Sequence, residues 1–146
     1  MPAPLTSSSA GVGDALTAAL QQQPKRIVLA LGGSASTDGG AGMLAALGAV
    51  YRDAAGHALT ADGGSLRRID TVDLTGLPDL TDVTIVIASD VQNPLTGPDG
   101  AVAVYGPQKG ADPHPAPRHR GAPPPAFGVT QASYSIWTWY RHFCHE

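Results

Sequence analysis

The chain has 146 residues, 42% of them apolar, and a formal net charge of −3, which suits one soluble α/β-sized core and argues against wholesale disorder. The balance gives no basic footprint for nucleic acid, and no apolar run approaches the roughly 18 residues a membrane-spanning helix needs. The start, Met1-Pro2-Ala3-Pro4, lacks a basic-then-apolar leader, and Cys144 is the sole cysteine, so a reducing, cytoplasmic location is expected without an internal disulfide.

In chain order, Thr6-Ser7-Ser8-Ser9 reads as a loop that leads into a helix, because Val12, Leu16, Ala19 and Leu20 recur at helical spacing until Pro24. Ile27 to Leu31 is a continuous apolar run bounded by Lys25-Arg26 and Gly32-Gly33, the pattern of a strand buried on both faces. After the glycine-rich loop, Ala41 to Leu47 resumes as a helix. Val50 to Leu59 reads as a hairpin turning at Asp53-Ala54-Ala55-Gly56, and Ile69 to Leu74 alternates like a half-exposed strand. Thr84 to Ala88 is a second apolar run and a second expected buried strand. Gly100 to Tyr105 reads as a short helix closed by Gly106-Pro107. Strands interleaved with helices, plus a hairpin, predict an α/β fold with a mixed sheet and flanking helices.

The composition changes at Pro113. Six prolines fall between Pro113 and Pro125, and Phe127 to Glu146 holds six of the eight aromatic residues. We therefore divide the chain into an α/β part, 1–112, and a proline- and aromatic-rich tail, 113–146. The tail reads either as a linker with an aromatic segment or as sequence from a shifted reading frame, and the second is favoured. His119, His142, Cys144 and His145 in it do not match zinc spacing.

Both apolar strands run into loops rich in Gly, Asp, Ser and Asn, and in open α/β sheets ligands bind beyond the carboxyl ends of strands. The first loop, Gly32 to Gly42, is glycine at five of eleven positions. Its backbone can approach an anion closely, with amides at the N-terminus of the following helix as expected donors. Ser34, Ser36 and Thr37 add hydroxyls, and Asp38 a carboxylate. The common nucleotide-phosphate fingerprints are absent, and the pattern equally fits a tight turn with Asp38 as N-cap. The second loop starts at Asp90, where a carboxylate can take a proton from a hydroxyl or help hold Mg²⁺. Asn93-Pro94 and Gly97 to Gly100 also fit an ordinary turn. Lys109, between Gln108 and Gly110, is one of only two lysines. A solvated surface cation is the plain alternative to an anion-binding role.

Three stretches together resemble the bacterial glycerate kinase family: Gly32-Gly33-Ser34-Ala35-Ser36-Thr37-Asp38-Gly39-Gly40-Ala41-Gly42-Met43, Ser89 to Ala101, and Tyr105-Gly106-Pro107-Gln108-Lys109-Gly110-Ala111. The resemblance covers about residues 5–112. It implies a two-domain α/β architecture with a cleft site and a cytoplasmic enzyme that phosphorylates D-glycerate with ATP and Mg²⁺, leaving both the 2- and the 3-hydroxyl open as acceptors. Carried onto this sequence, it makes Asp38, Asp90 and Lys109 the catalytic candidates, with Asp90 also the Mg²⁺ candidate. Gly32, Gly33, Ser34, Gly39, Gly40 and Asn93 become the candidates for holding substrate or phosphate. Family members are two to three times longer and carry an Asp-Ser-Phe-Lys-Gly type segment that this chain lacks. The chain is therefore expected to be an internal fragment with little activity alone, prone to self-association through an incomplete surface. A non-catalytic anion-binding remnant and a degraded reading frame are the alternatives.

Overall fold

A computed structural model describes residues 5–89, 93 and 99–110. It is built from two packed helices, two small sheets and a short C-terminal helix.

Helix α1, Ala10–Leu20, buries Gly13 and Leu16 against α2, Ala41–Ala46, which buries Ala41, Gly42 and Leu44. The helices touch closely because position 13 is glycine: a Cβ there would run into the Met43 carbonyl oxygen and the Ala46 side chain. Around this contact Leu16, Leu44, Leu47, Tyr51, Leu66 and Ile69 form one core. Tyr51 and Leu44 are each 1% exposed, and a fully buried leucine contributes about 1.5–3 kcal/mol.

Strand β1, Arg26–Leu31, pairs in parallel with β4, Thr84–Ser89, in a register that sets Arg26 against Thr84 and Leu31 against Ser89. Strand β2, Val50–Arg52, pairs antiparallel with β3, Thr71–Asp73. Parallel and antiparallel pairing are thus both present, divided between two sheets. The expected turn at Asp53–Gly56 forms, with Gly56 at a φ of 83° and its amide donating to the Asp53 carbonyl. The hairpin built on it is shorter than expected. Only Arg52 and Ala58 form a bridge, and the Leu59 amide donates to the Tyr51 carbonyl. Beyond that the chain departs, and β3 takes the place beside β2.

Burial of β1 and β4 also differs from expectation. Along β1 exposure alternates: Ile27, Leu29 and Leu31 are half-buried, with Ile27 packed on the core, while Arg26, Val28 and Ala30 are exposed. Val28 is 62% exposed. A continuous apolar run signals a strand meant for cover on both faces. Among the described residues, cover is present on one.

Helix α3, Ala101–Tyr105, is followed by a 3-10 turn at Pro107–Lys109, which Gly110 ends with a φ of 85°. Among the described residues no helix is long and apolar enough to cross a membrane. The boundary at 112/113 and the tail lie outside the described residues.

Candidate functional site

The carboxyl ends of β1 and β4 lie side by side and open onto a depression of about 610 Å³ lined by Ala30, Leu31, Gly32, Ala88 and Ser89. The glycine loop begins at its edge with Gly32. Gly32, Gly33, Ser34 and Ala35 are exposed, and Gly33 takes a φ of 66°, a left-handed conformation that suits glycine.

Lys109 reaches this loop from the far end of the described chain. Its Nζ donates to the Ser36 carbonyl oxygen at 3.0 Å, so the first and third sequence stretches meet. An ammonium has three donors, and Ser36 takes one. Asn93 is tied into the third stretch as well: its Nδ2 donates to the Asp99 carbonyl at 2.9 Å, and the Tyr105 hydroxyl donates to its Oδ1 at 3.0 Å. Asp90 lies outside the described residues.

Asp38 sits differently from the other candidates. It is 2% exposed. Its Oδ2 accepts from the Ser9 amide at 2.6 Å, the Ser9 hydroxyl at 2.8 Å and the Gly42 amide at 3.1 Å, while Oδ1 accepts from the Gly40 amide at 3.2 Å. The Asp38 carbonyl takes the Ala41 amide at 3.0 Å, and the Ser9 hydroxyl oxygen takes the Met43 amide at 2.9 Å. Gly40, Ala41, Gly42 and Met43 carry the amides that a helix start leaves without intrahelical acceptors. Here all four are satisfied from within the protein.

Two expectations change as a result. The amides at the start of α2 are not open to an external anion, because Asp38 and Ser9 already fill that position. The expected N-cap position is taken by Gly40, and Asp38, two residues earlier, instead ties the start of α1 to the start of α2. Beneath it, the Tyr51 hydroxyl donates to the Ala41 carbonyl at 3.1 Å. Burial first, and the Asp38 charge second, push the Tyr51 pKa well above the usual tyrosine range, so this phenol stays a neutral donor.

The described residues do not assemble a cation site. No group of three or more His, Cys, Asp or Glu side chains converges among them, and Asp38 is buried with its oxygens engaged by four donors. An anion fits better: the backbone from Gly32 to Ala35 is exposed, and the Lys109 ammonium meets the same loop at the Ser36 carbonyl.

Ser9 is the residue of this region that sequence reading passed over. Its place just before a helical pattern marks it as a cap. Nothing local signals that its partner is a carboxylate 29 positions away.

Comparison with known proteins matches residues 1–120 to the model of the glycerate kinase family. The chain is 46% identical to the glycerate kinase of Bacillus subtilis over 109 residues, which is 74% of this chain and 28% of that protein. To the glycerate 2-kinase of Escherichia coli it is 47% identical over 109 residues, 74% of this chain and 29% of that protein. A solved structure described as a glycerate kinase 2 from Salmonella typhimurium LT2 superposes with a TM-score of 0.72 at 38% identity, covering 97% of this chain and 35% of that one. The matched stretch spans less than a third of the length of these curated relatives.

Proposed function

The chain belongs to the glycerate kinase family, and from that premise we propose that it carries the substrate-side wall of a site for ATP-dependent phosphorylation of D-glycerate. The observation that supports this most is the contact of Lys109 with Ser36. It places a cation on the half-buried Ser36 carbonyl of the glycine-rich loop that follows β1. Phosphoryl transfer asks the protein mainly for positioning and for stabilisation of charge on the transferred oxygens. Lys109, held on the Ser36 carbonyl, supplies charge. Gly32, Gly33 and Ser34 supply close backbone approach and a hydroxyl for a carboxylate or phosphate.

Asp38 contributes by holding the loop, because its carboxylate is buried and bonded. Asp90, next in the chain after Ser89, is the carboxylate we assign to the proton of the acceptor hydroxyl. Asn93 hydrogen-bonds the Asp99 carbonyl and the Tyr105 hydroxyl. ATP is the phosphoryl donor in this reading. Mg²⁺ as its partner finds no converging carboxylates among the described residues, so no step is assigned to it. A cytoplasmic setting completes the proposal.

Transfer to glycerate rather than to water requires a closed site, and the matched stretch is less than a third of the length of its curated relatives. The 146-residue chain is therefore expected to bind D-glycerate without efficient turnover. A coupled ADP-release assay with D-glycerate, ATP and Mg²⁺ tests this. Turnover below the ordinary enzyme range is expected; a rate of ~1 s⁻¹ or more would mean that this chain closes a site by itself.

A further inference from the structure

Ser9 has no place in the reaction proposed above, yet it makes three of the hydrogen bonds that organise the site. Its amide and its hydroxyl both donate to Asp38 Oδ2, at 2.6 and 2.8 Å, and its hydroxyl oxygen accepts the Met43 amide at 2.9 Å. The carboxylate it holds is 2% exposed, and its hydrogen-bond partners among the described residues are neutral donors on Ser9, Gly40 and Gly42. Hydrogen bonds to an ionised acceptor are about twice as strong as neutral ones, and helix starts favour negative charge. Asp38 therefore supplies from within the protein the acceptor that the Gly40 and Gly42 amides need. Position 42 has to be glycine for this packing: a Cβ there would run into the Ser8 hydroxyl and lie 2.8 Å from Asp38 Oδ2.

We propose that Ser9 is a positioning residue of this site: acting through Asp38, it closes the α2 N-terminus to ligands and fixes the glycine loop so that the substrate anion engages the strand side, at Gly32 to Ser34 beside Lys109. The inference rests on the glycerate-phosphorylating reading. It adds a residue and a side of the loop that this reading leaves open. Three observations converge on it. The amides from Gly40 to Met43 are all taken. The backbone from Gly32 to Ala35 is exposed. The one cation brought to the loop among the described hydrogen bonds lands on Ser36, on the strand side of Asp38.

Amide-resolved ¹⁵N–¹H spectra of the full chain test the proposal, recorded for the unsubstituted protein, Ser9→Ala and Ser9→Thr, each titrated with D-glycerate and with ATP. In the unsubstituted chain, D-glycerate should shift the Gly32, Gly33 and Ser34 amides and leave Gly40 to Met43 in place. Ser9→Ala should move the loop amides before any ligand is added and weaken D-glycerate at least tenfold. Ser9→Thr, which keeps the hydroxyl, should return affinity to within about twofold of the parent chain. A purely structural serine would lower the melting temperature and leave affinity unchanged in the folded fraction, and that result overturns the proposal. So do ligand shifts centred on Gly40 to Met43. If Ser9→Ala does not fold, the parent shift map and the threonine variant decide by the same criteria. If neither D-glycerate nor ATP shifts any amide of the parent chain, the phosphorylation reading fails for this chain. Ser9 is then judged on the unliganded spectra, where unmoved loop amides in Ser9→Ala would reject its positioning role.

Discussion

Around α2 the backbone donors from Gly40 to Met43 all find acceptors inside the protein, whereas the loop that leads into α2 is exposed from Gly32 to Ala35. The same contrast holds for apolar groups. Leu44 and Tyr51 are each 1% exposed, while Val28 on β1 is 62% exposed. Among the described residues the first region is covered and the second is not. The difference separates stability, which resides in the α1–α2–β2 core, from the recognition we propose at the ends of the parallel pair. Substitutions can therefore damage one with little effect on the other.

The largest effect should come from breaking the junction between them. Asp38→Ala leaves the Ser9, Gly40 and Gly42 donors without their acceptor, and unsatisfied buried groups cost about 1–3 kcal/mol each. Urea denaturation should show a loss of roughly 3 kcal/mol or more. A loss within experimental scatter would mean that Asp38 is not the tie described.

Close backbone packing comes next. Gly48 has a φ of 117° and lies against the Gly76 backbone, where a Cβ would collide with the Gly76 carbonyl. Gly48→Ala should cost about 2–3 kcal/mol by strain and overlap. Gly13→Ala is a sharper test, because alanine improves an unconstrained helix by about 1 kcal/mol. Against Met43 and Ala46 it should instead destabilise by about 1–3 kcal/mol. A stabilised variant would show that α1 and α2 are not in contact at this point.

On the open side the expected effects are small. Val28→Thr should change stability by no more than about 0.5 kcal/mol, and it should reduce any self-association measured by sedimentation. A loss of several kcal/mol would place Val28 in a covered interior.

Acid sensitivity gives the mildest test. Hydrogen bonding by the His57 amide, followed by Arg68 and the Ala55 amide, holds the Asp53 pKa below the ordinary carboxylate range against a smaller opposing desolvation. The Thr75 and Thr81 side chains do the same for Asp73 and Asp79. A folded pKa below the unfolded value of about 3.9 means that the stabilisation is complete above that value and disappears as pH falls through the folded pKa. Asp53→Asn should flatten the acid limb of a stability–pH curve and leave the region above pH 6 unchanged in shape.

Much of this arrangement was legible in the sequence, and the exceptions have physical causes. Helices α1 and α2 and strands β1 and β4 follow from apolar spacing and from Pro24, Gly32 and the other breakers around them. The turn at Asp53–Gly56 was also readable, but the partner of β2 was not, since Tyr51 pairs with Val72 across a separation that no local pattern encodes. Apolar runs at Ile27–Leu31 and Thr84–Ala88 predicted burial on both faces; among the described residues β1 is covered on one side only, and Ile85, Val86 and Ile87 of β4 are half-buried. In the candidate site, residue type singled out the glycine loop and Lys109, which the structure brings into contact at Ser36. The role of Asp38 was not, because it depends on Ser9, 29 residues earlier. Helix-start amides that looked available in sequence are occupied by that pairing.

The central claim is that Lys109 and the exposed loop form one anion-binding rim. Thermal melting of the parent chain and of Lys109→Gln, with and without D-glycerate, tests it most directly. At ten times its Kd a ligand of the folded state stabilises by about 1.4 kcal/mol, a shift of several degrees for a core of this size. The parent chain should show that shift, and Lys109→Gln should lose most of it at an unchanged ligand-free melting temperature. An equal shift in both proteins, or none in the parent chain, would contradict the account.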